Sequence, residues 1–439
     1  MEDEVDLAER FGGVLAEIAP LAVAFAASGR RLYLVGGIVR DGLLGRSRGG
    51  LDIDLTTDAS PEEVEVIGRS LRPSAMWLQG QRFGTVGITL RTAGGVDRAV
   101  EITTHRSDEY EAGSRKPAVA FAGDVVADLA RRDFTVNAMA IDAQMSVDAL
   151  VVIDPFGGVA DLRAGRLRTP SGPFPSFTDD PLRMLRAARF VAKYDFVAEA
   201  GLVAAAKALG DRLGIVSAER VRDEFSALIM LPAPARGLDF LADAGLLEIA
   251  VPGFVAMADD QLRAGLSVAL AGCPADLAVR LAVVAVFCRS DIESVALQVS
   301  ALKFPGVVID DVTSLVRLHR EFVVPSTDAA LRRFVVACGD RLDRLLAVIA
   351  RSGVGDGVGV ADPATAAGTR SAVDALGQRE DLSMRPVLDG ADVMEHLGVG
   401  PGRAVGEALA MLATARLDDG PFDADEARSM LDAWMATRP

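Results

Sequence analysis

Around residue 178 the apolar periodicity of this chain changes, and it does not change back. Before that point, short apolar runs and one strictly alternating stretch are interrupted by glycine pairs, as strands and turns require. After it, apolar residues recur at the three-to-four spacing of a helix face. The order of these two periods predicts an α+β chain: a small mixed sheet at the front, then an all-helical array. With 50% hydrophobic but only 5% aromatic residues, the apolar content is mostly Ala, Val and Leu, which suits helices packed on a modest sheet. A length of 439 residues is too long for one ordinary core. The expected segments are a head over residues 1–170, a helical neck over 171–235, a helical body over 236–352, a Gly- and Ala-rich linker over 353–370 and a helical tail over 371–439.

Within the head, residues 32–35 form a short apolar run closed by Gly36 and Gly37, and residues 38–44 then read as a helix ended at Gly45. Leu51, Asp52, Ile53, Asp54 and Leu55 alternate as a strand with one buried face does. Residues 86–90 and 100–103 are further strands. In the neck, Pro181 is expected in a first helical turn, and Ser217 opens another helix.

Composition excludes several classes. Three cysteines, Cys273, Cys288 and Cys338, are widely spaced and form no metal-binding or disulfide pattern, so they read as small hydrophobes of a reducing, cytoplasmic compartment. The start, Met1-Glu2-Asp3-Glu4, is acidic where a secretory signal is basic. The most apolar run, residues 277–288, carries Arg280 and falls short of the roughly 18 to 20 residues of a membrane span, so no membrane role is expected. No obligate protein partner is evident. A net charge of −16 means that any nucleic-acid contact must come from local arginine clusters, such as Arg183, Arg186, Arg189 and Lys193.

Alternation places Asp52 and Asp54 on one strand face and their apolar neighbours on the other. Two like charges that close are accounted for by a hard divalent cation between them, and Mg²⁺ favours carboxylate and phosphate oxygens. Glu101, on a neighbouring strand, is the expected third ligand. Gly36 and Gly37 ahead of a helix offer backbone N–H groups to a triphosphate, with Arg40 adding charge. These parts describe two-metal nucleotidyl transfer, with pyrophosphate leaving.

Five motifs in a fixed order carry a family resemblance: Leu34-Val35-Gly36-Gly37-Ile38-Val39-Arg40-Asp41 with Asp52-Ile53-Asp54; Arg131 to Ala140; Asp154-Pro155-Phe156-Gly157-Gly158; Asp179 to Arg186; and Glu219-Arg220. Together they resemble the class II CCA-adding enzymes and bacterial poly(A) polymerases, within the polymerase β-like nucleotidyltransferases. The resemblance implies template-independent addition of CCA to tRNA from CTP and ATP. The alternatives are a poly(A) polymerase, an enzyme that adds only CC or only A, and, remotely, an inactive RNA-binding protein. It implies that Arg132, Asp133 and Asn137 hold the nucleotide's phosphates and ribose, that Gly157 and Gly158 form a hinge or turn between head and neck, and that Glu219 and Arg220 brace the neck. Arg186 belongs to the same nucleotide-binding set. Arg106 and Arg115 lie where the family carries a flexible loop.

Asp180 and Arg183, three apart and expected on one helix face, are the base-reading pair. Cytosine and adenine each present an exocyclic amine beside a ring acceptor, which a carboxylate and a guanidinium match; uracil and guanine present the reverse pattern. The family's acid before this Asp is Glu, and here it is Asp179. Many relatives also carry a histidine-rich phosphohydrolase domain after the neck. With only His105, His319 and His396, and no His-Asp dipeptide, this chain cannot build that site, and its body is expected to serve as scaffold and RNA-binding surface.

Overall fold

The computed structural model describes residues 6–46, 53–78, 84–91, 95–109, 118–121, 124–250, 259–352 and 362–437, and for 107–109 and 118–121 the backbone only. Asp52 and Arg115, both named above, lie outside the described residues. The chain divides into two compact units, residues 1–250 and 251–439.

The first unit opens with α1 (Leu7–Ala27), then β1 (Leu32–Val35), α2 (Gly37–Leu43), β2 (Ile53–Thr57) and α3 (Pro61–Ser70). Strands β3 (Ala75–Trp77), β4 (Thr85–Arg91), β5 (Asp97–Thr104), β6 (Arg106–Glu109) and β7 (Ala118–Phe121) follow, then α4 (Val125–Ala130). After β8 (Ala140–Asp142), β9 (Val152–Ile153), α5 (Gly158–Arg163) and β10 (Arg166–Leu167), the unit continues as α6 (Pro173–Asp179), α7 (Arg183–Tyr194), β11 (Val197–Ala198), α8 (Ala200–Leu209), α9 (Ala218–Ile229), α10 (Ala235–Asp243) and α11 (Leu247–Ala250).

Seven strands form one mixed sheet in the order β3-β4-β5-β2-β1-β8-β9. Only β2 and β5 run parallel, with Asp54 opposite Glu101 in register, and β6 pairs with β7 as a separate hairpin. The alternation expected of β2 is present: Ile53 and Leu55 are buried and Asp54 faces the other side. Helix α1 is not among the elements expected from sequence. It is long and apolar enough to cross a membrane by length and composition. Six of its residues, Phe11, Leu15, Ile18, Leu21, Ala22 and Phe25, are buried in the unit, as in a helix packed onto a domain by one apolar face.

One expectation about the neck is corrected. Helix α7 begins at Arg183, so Asp180, Pro181 and Leu182 form a turn and Asp180 is not on the helix. The Asp180 Oδ1 accepts from the Leu182 N–H at 3.1 Å and its carbonyl from the Arg183 N–H at 3.0 Å, so it caps the turn that leads into α7. The packing of α10 on α7 belongs to this first unit, so it runs beyond residue 235.

The second unit is helical: α12 (Asp260–Ala271), α13 (Leu277–Phe287), α14 (Ile292–Ala301), α15 (Gly306–Glu321), α16 (Asp328–Cys338), α17 (Leu342–Ser352), α18 (Pro363–Gly377), α19 (Gly390–Leu397), α20 (Arg403–Asp418) and α21 (Ala424–Ala436). Helix α13 is buried from Ala278 to Phe287, and its Arg280 is satisfied by the carbonyls of Cys273 and Pro274. Of the stretch expected as a linker, residues 353–361 lie outside the described residues and 363–370 belong to helix α18, started by Pro363 and by the Asp362 carboxylate accepting from the Thr365 N–H. Helices α19 to α21 close a small core around Val393, Ala408, Ala427 and Leu431. The histidines stay apart: His319 meets Ser352 and His396 meets Asp432. Among the described residues no three His, Cys, Asp or Glu side chains group as a metal site.

Candidate active site

Strand β1 ends at Gly36, whose φ of +75° is accessible to glycine with little strain. A Cβ added there would lie 3.2 Å from the Arg132 Nη1 and 3.6 Å from the Asp54 Oδ2. The glycine turn thus lets three distant parts of the chain converge. They open onto a polar cavity of about 610 Å³ lined by Gly36, Gly37, Arg40, Asp54, Arg131, Arg132, Asp133, Asn137, Asp180, Leu182, Arg183, Arg186, Arg189, Phe190, Lys193, Tyr194 and Arg220. Eight of these are cations and three are carboxylates, so a strongly cationic concavity sits within a chain of net charge −16. The second unit has an apolar cavity of about 430 Å³, but its charged lining is limited to Arg385 and Arg416, and it lacks a carboxylate.

Asp54 lines the polar cavity and stands on β2 opposite Glu101 on β5. Glu101 is exposed at the sheet surface. Carboxylates on adjacent strands at a solvent-open face are the donor set a magnesium ion takes.

Arg40, expected to reach toward phosphate, is instead largely turned inward. It is 6% exposed; its Nε and Nη2 donate to Asp41 at 2.9 Å each, and its Nη1 donates to the Asn137 Oδ1 at 2.5 Å. Its guanidinium lies 4.5 Å from the Tyr194 ring centre and 5.2 Å from that of Phe190. Burial pushes the Tyr194 hydroxyl up to about 12, so it stays protonated.

Asp133 is similarly saturated. Its Oδ1 accepts from the Phe134 N–H and the Asn137 Nδ2, both at 2.8 Å, and its Oδ2 accepts from the Arg186 Nε and Nη2 at 2.9 and 2.6 Å. Burial opposes its ionisation, but Arg186 and these hydrogen bonds outweigh burial and hold its pKa at about 2. The segment after it is a single 3₁₀ turn, Thr135–Asn137, and Asp133 does not cap a helix there. Arg186 also donates to Glu224 on α9, which takes Arg189 as well.

Asp180 and Arg183 also line the cavity. The Asp180 Oδ2 accepts from the Arg220 Nη2 at 2.8 Å; Arg183 donates to the Ser176 hydroxyl at 2.9 Å and to the Arg131 carbonyl. Arg220, expected to brace the neck, thus reaches Asp180. Arg106 sits partly buried at the start of β6 and does not line the cavity.

Gly157 and Gly158 act by close packing. Asp154 accepts from the N–H groups of Gly158 and Val159, and a Cβ on Gly158 would lie 2.2 Å from the Thr135 carbonyl oxygen. Helix α5 is therefore pressed against the segment that carries Arg132 and Asn137, with Asp161 accepting from Thr135 and Arg168 at 2.7 and 2.8 Å.

Sequence reasoning missed Asp128, Glu224, Phe190 and Tyr194. Asp128 had a local signal, since it lies three and four residues before Arg131 and Arg132 on a helix. Glu224 is 35 and 38 residues from its partners and had none.

Residues 32–168 match the family described as the poly A polymerase head domain, and residues 195–257 that described as "Probable RNA and SrmB- binding site of polymerase A". The CCA-adding enzyme of Bacillus licheniformis is 36% identical over 230 residues, 52% of this chain and 54% of that enzyme. The one from Geobacillus stearothermophilus is 38% identical over 232 residues, 53% of each. The matched stretch thus spans about half the length of these curated relatives. The crystal structure of the Bacillus stearothermophilus CCA-adding enzyme in complex with CTP superposes with a TM-score of 0.73 at 26% identity, covering 98% of both chains. Residues 32–168 thus match a poly A polymerase head in sequence, residues 195–257 match its RNA-binding segment, and the whole chain shares the fold of a CCA-adding enzyme.

Proposed function

We propose that this protein adds C, C and A to the 3′ end of tRNA from CTP and ATP without a nucleic-acid template, releasing pyrophosphate. The observation that carries this reading is the one cationic cavity whose lining includes both Asp54 and the pair Asp180 and Arg183. A nucleoside triphosphate bound there sets its phosphates by the carboxylate strand and its base by the turn before α7.

Asp52, Asp54 and Glu101 would hold Mg²⁺, which when bound stabilises charge at the α-phosphate and makes the 3′ hydroxyl a better nucleophile. The chain's own residues do the rest. Arg132, beside the glycine turn, and Arg186 and Arg189, along α7, set a cationic wall against the triphosphate. Asp133 holds that wall in register by taking Arg186 from behind, and is itself fixed by Asn137, which takes Arg40. Asp180 accepts from the exocyclic amine of cytosine or adenine, and Arg183 donates to the ring nitrogen beside it. A carboxylate oxygen has two acceptor sites, so Asp180 keeps Arg220 while it reads the base. The tRNA relatives' activity and the CTP-bound homologue support this assignment.

The test is incubation with Mg²⁺, a tRNA lacking its last three nucleotides, and each NTP alone and in combination, with product lengths resolved on a gel. Growth by three nucleotides that needs both CTP and ATP is expected. A long ladder with ATP alone would make the protein a poly(A) polymerase, and no extension would refute nucleotide addition.

A further inference from the structure

We propose that Asp128 is a positioning residue for two groups of the nucleotide cavity, holding Arg132 for the phosphates and, through the backbone of Arg131, Arg183 for the base. This rests on the nucleotide-addition reading above. Asp128 lies on α4, is 0% exposed and is not part of the cavity lining. Its Oδ2 accepts from the Arg132 Nη2 and Nε at 3.0 and 3.3 Å, and its Oδ1 from the Arg131 Nη2 and Nε at 2.6 and 3.1 Å. One buried carboxylate thus holds two adjacent guanidiniums by their forks. Both reach the cavity.

The geometry divides the work. With Nε and Nη2 held by Asp128, the Arg132 Nη1 is the atom beside Gly36, at the glycine turn that the triphosphate approaches. Arg131, held by the other oxygen, presents its carbonyl to the Arg183 Nη2. A guanidinium fork is planar, so fixing two of its nitrogens fixes the direction of the third. An uncompensated buried carboxylate is costly, and burial opposes the charge of Asp128, yet its two arginines hold its pKa at about 2. It is ionised at any pH at which the protein works. Neither arginine can swing away without leaving that charge unpaired.

The test is equilibrium binding of CTP and ATP, with Mg²⁺, to the full chain by titration calorimetry, for the wild type, Asp128→Asn, Arg132→Ala and the double variant. A positioning role raises Kd with the number of sites unchanged, whereas damage to folding lowers the number of sites and leaves Kd alone. We expect Kd to rise about tenfold or more in Asp128→Asn, as misplacement of a binding group does. In the Arg132→Ala background the same change should raise Kd by less than it does in the wild type, because only the arm through Arg131 and Arg183 is left to lose. Preference for CTP over UTP should narrow as well. Unchanged Kd in Asp128→Asn, or full additivity with Arg132→Ala, would overturn the proposal, and an unchanged CTP preference would remove its Arg183 arm. Should Asp128→Asn fail to fold, Arg132→Lys decides: it keeps the charge and loses the fork, so a wild-type Kd would refute the role and a Kd near that of Arg132→Ala would support it. A wild type that binds no triphosphate would overturn the nucleotide-addition reading itself.

Discussion

Arg186 on the first long neck helix grips Asp133 on the head, its Nη2 2.6 Å and its Nε 2.9 Å from the same carboxylate oxygen. The pair also explains why Asn137 faces as it does, since the other Asp133 oxygen accepts from the Asn137 amide, whose oxygen accepts in turn from Arg40. Arg186→Met should leave Asp133 buried with two neutral donors. Because the Arg186 side chain is 31% exposed, the loss should be about 2 kcal/mol, below that of a fully buried pair. Urea unfolding checks this, and a midpoint equal to wild type would contradict it.

Asp54→Asn keeps the size of the side chain and removes its charge from the strand face beside Glu101. Addition of nucleotides to tRNA should fall by roughly a thousandfold, the scale on which loss of one charge-stabilising group acts. Binding of tRNA, measured by gel shift, should stay within about twofold, because the charge supplies chemistry and not affinity.

Base choice should follow Asp180 and Arg183. Asp180→Ala removes the acceptor for the exocyclic amine and frees Arg220, and Arg183→Ala removes the donor to the ring nitrogen. In either variant the ratio of CTP to UTP incorporation, read from single-nucleotide extension, should fall by about tenfold or more. Retained selectivity in both would place base recognition elsewhere.

His105 is buried, 5.7 Å from the Tyr33 ring centre, and neither ring nitrogen has a hydrogen-bond partner among the described residues. Burial pushes its pKa down; Asp128, Asp58 and Asp124 act against burial, and Arg132 adds to it. The unfolded chain takes up this proton near pH ~6.5 and the folded chain only below that. Stability is therefore fully present above pH ~6.5 and declines as the pH falls further, since the unfolded state binds more protons. Comparing urea midpoints at pH 7.5 and about pH 5, His105→Phe should lose less stability on acidification than the wild type.

Gly158→Ala should destabilise the head by about 1–3 kcal/mol, because its Cβ would press on the Thr135 carbonyl at 2.2 Å and on the Met139 side chain at 2.9 Å. Nucleotide Kd should rise with it, as Thr135 lies on the segment that carries Arg132 and Asn137. Gly214→Ala, with open space around the added methyl, is the control and should be neutral. Thermal unfolding distinguishes the two.

The sequence by itself determined the two-part architecture, the alternation that turns Asp54 away from the core, the glycine turn after β1 and the order of the motifs. All of these are properties of neighbours within a few positions, where spacing and backbone permissiveness act directly. The fork of Asp128 on Arg131 and Arg132 was legible in the same way, from helical spacing. Only the tertiary structure decided which polar groups face the cavity and which face each other. Arg40 is turned inward by Asn137, 97 positions away, Arg186 is held by Asp133 from 53 positions away, and Asp180 is met by Arg220 from 40 positions away. It also placed Asp180 in the turn ahead of the helix, where its carboxylate accepts from the Leu182 N–H. Such pairings depend on how helices pack on the sheet, and a buried charge takes whichever partner that packing brings within reach.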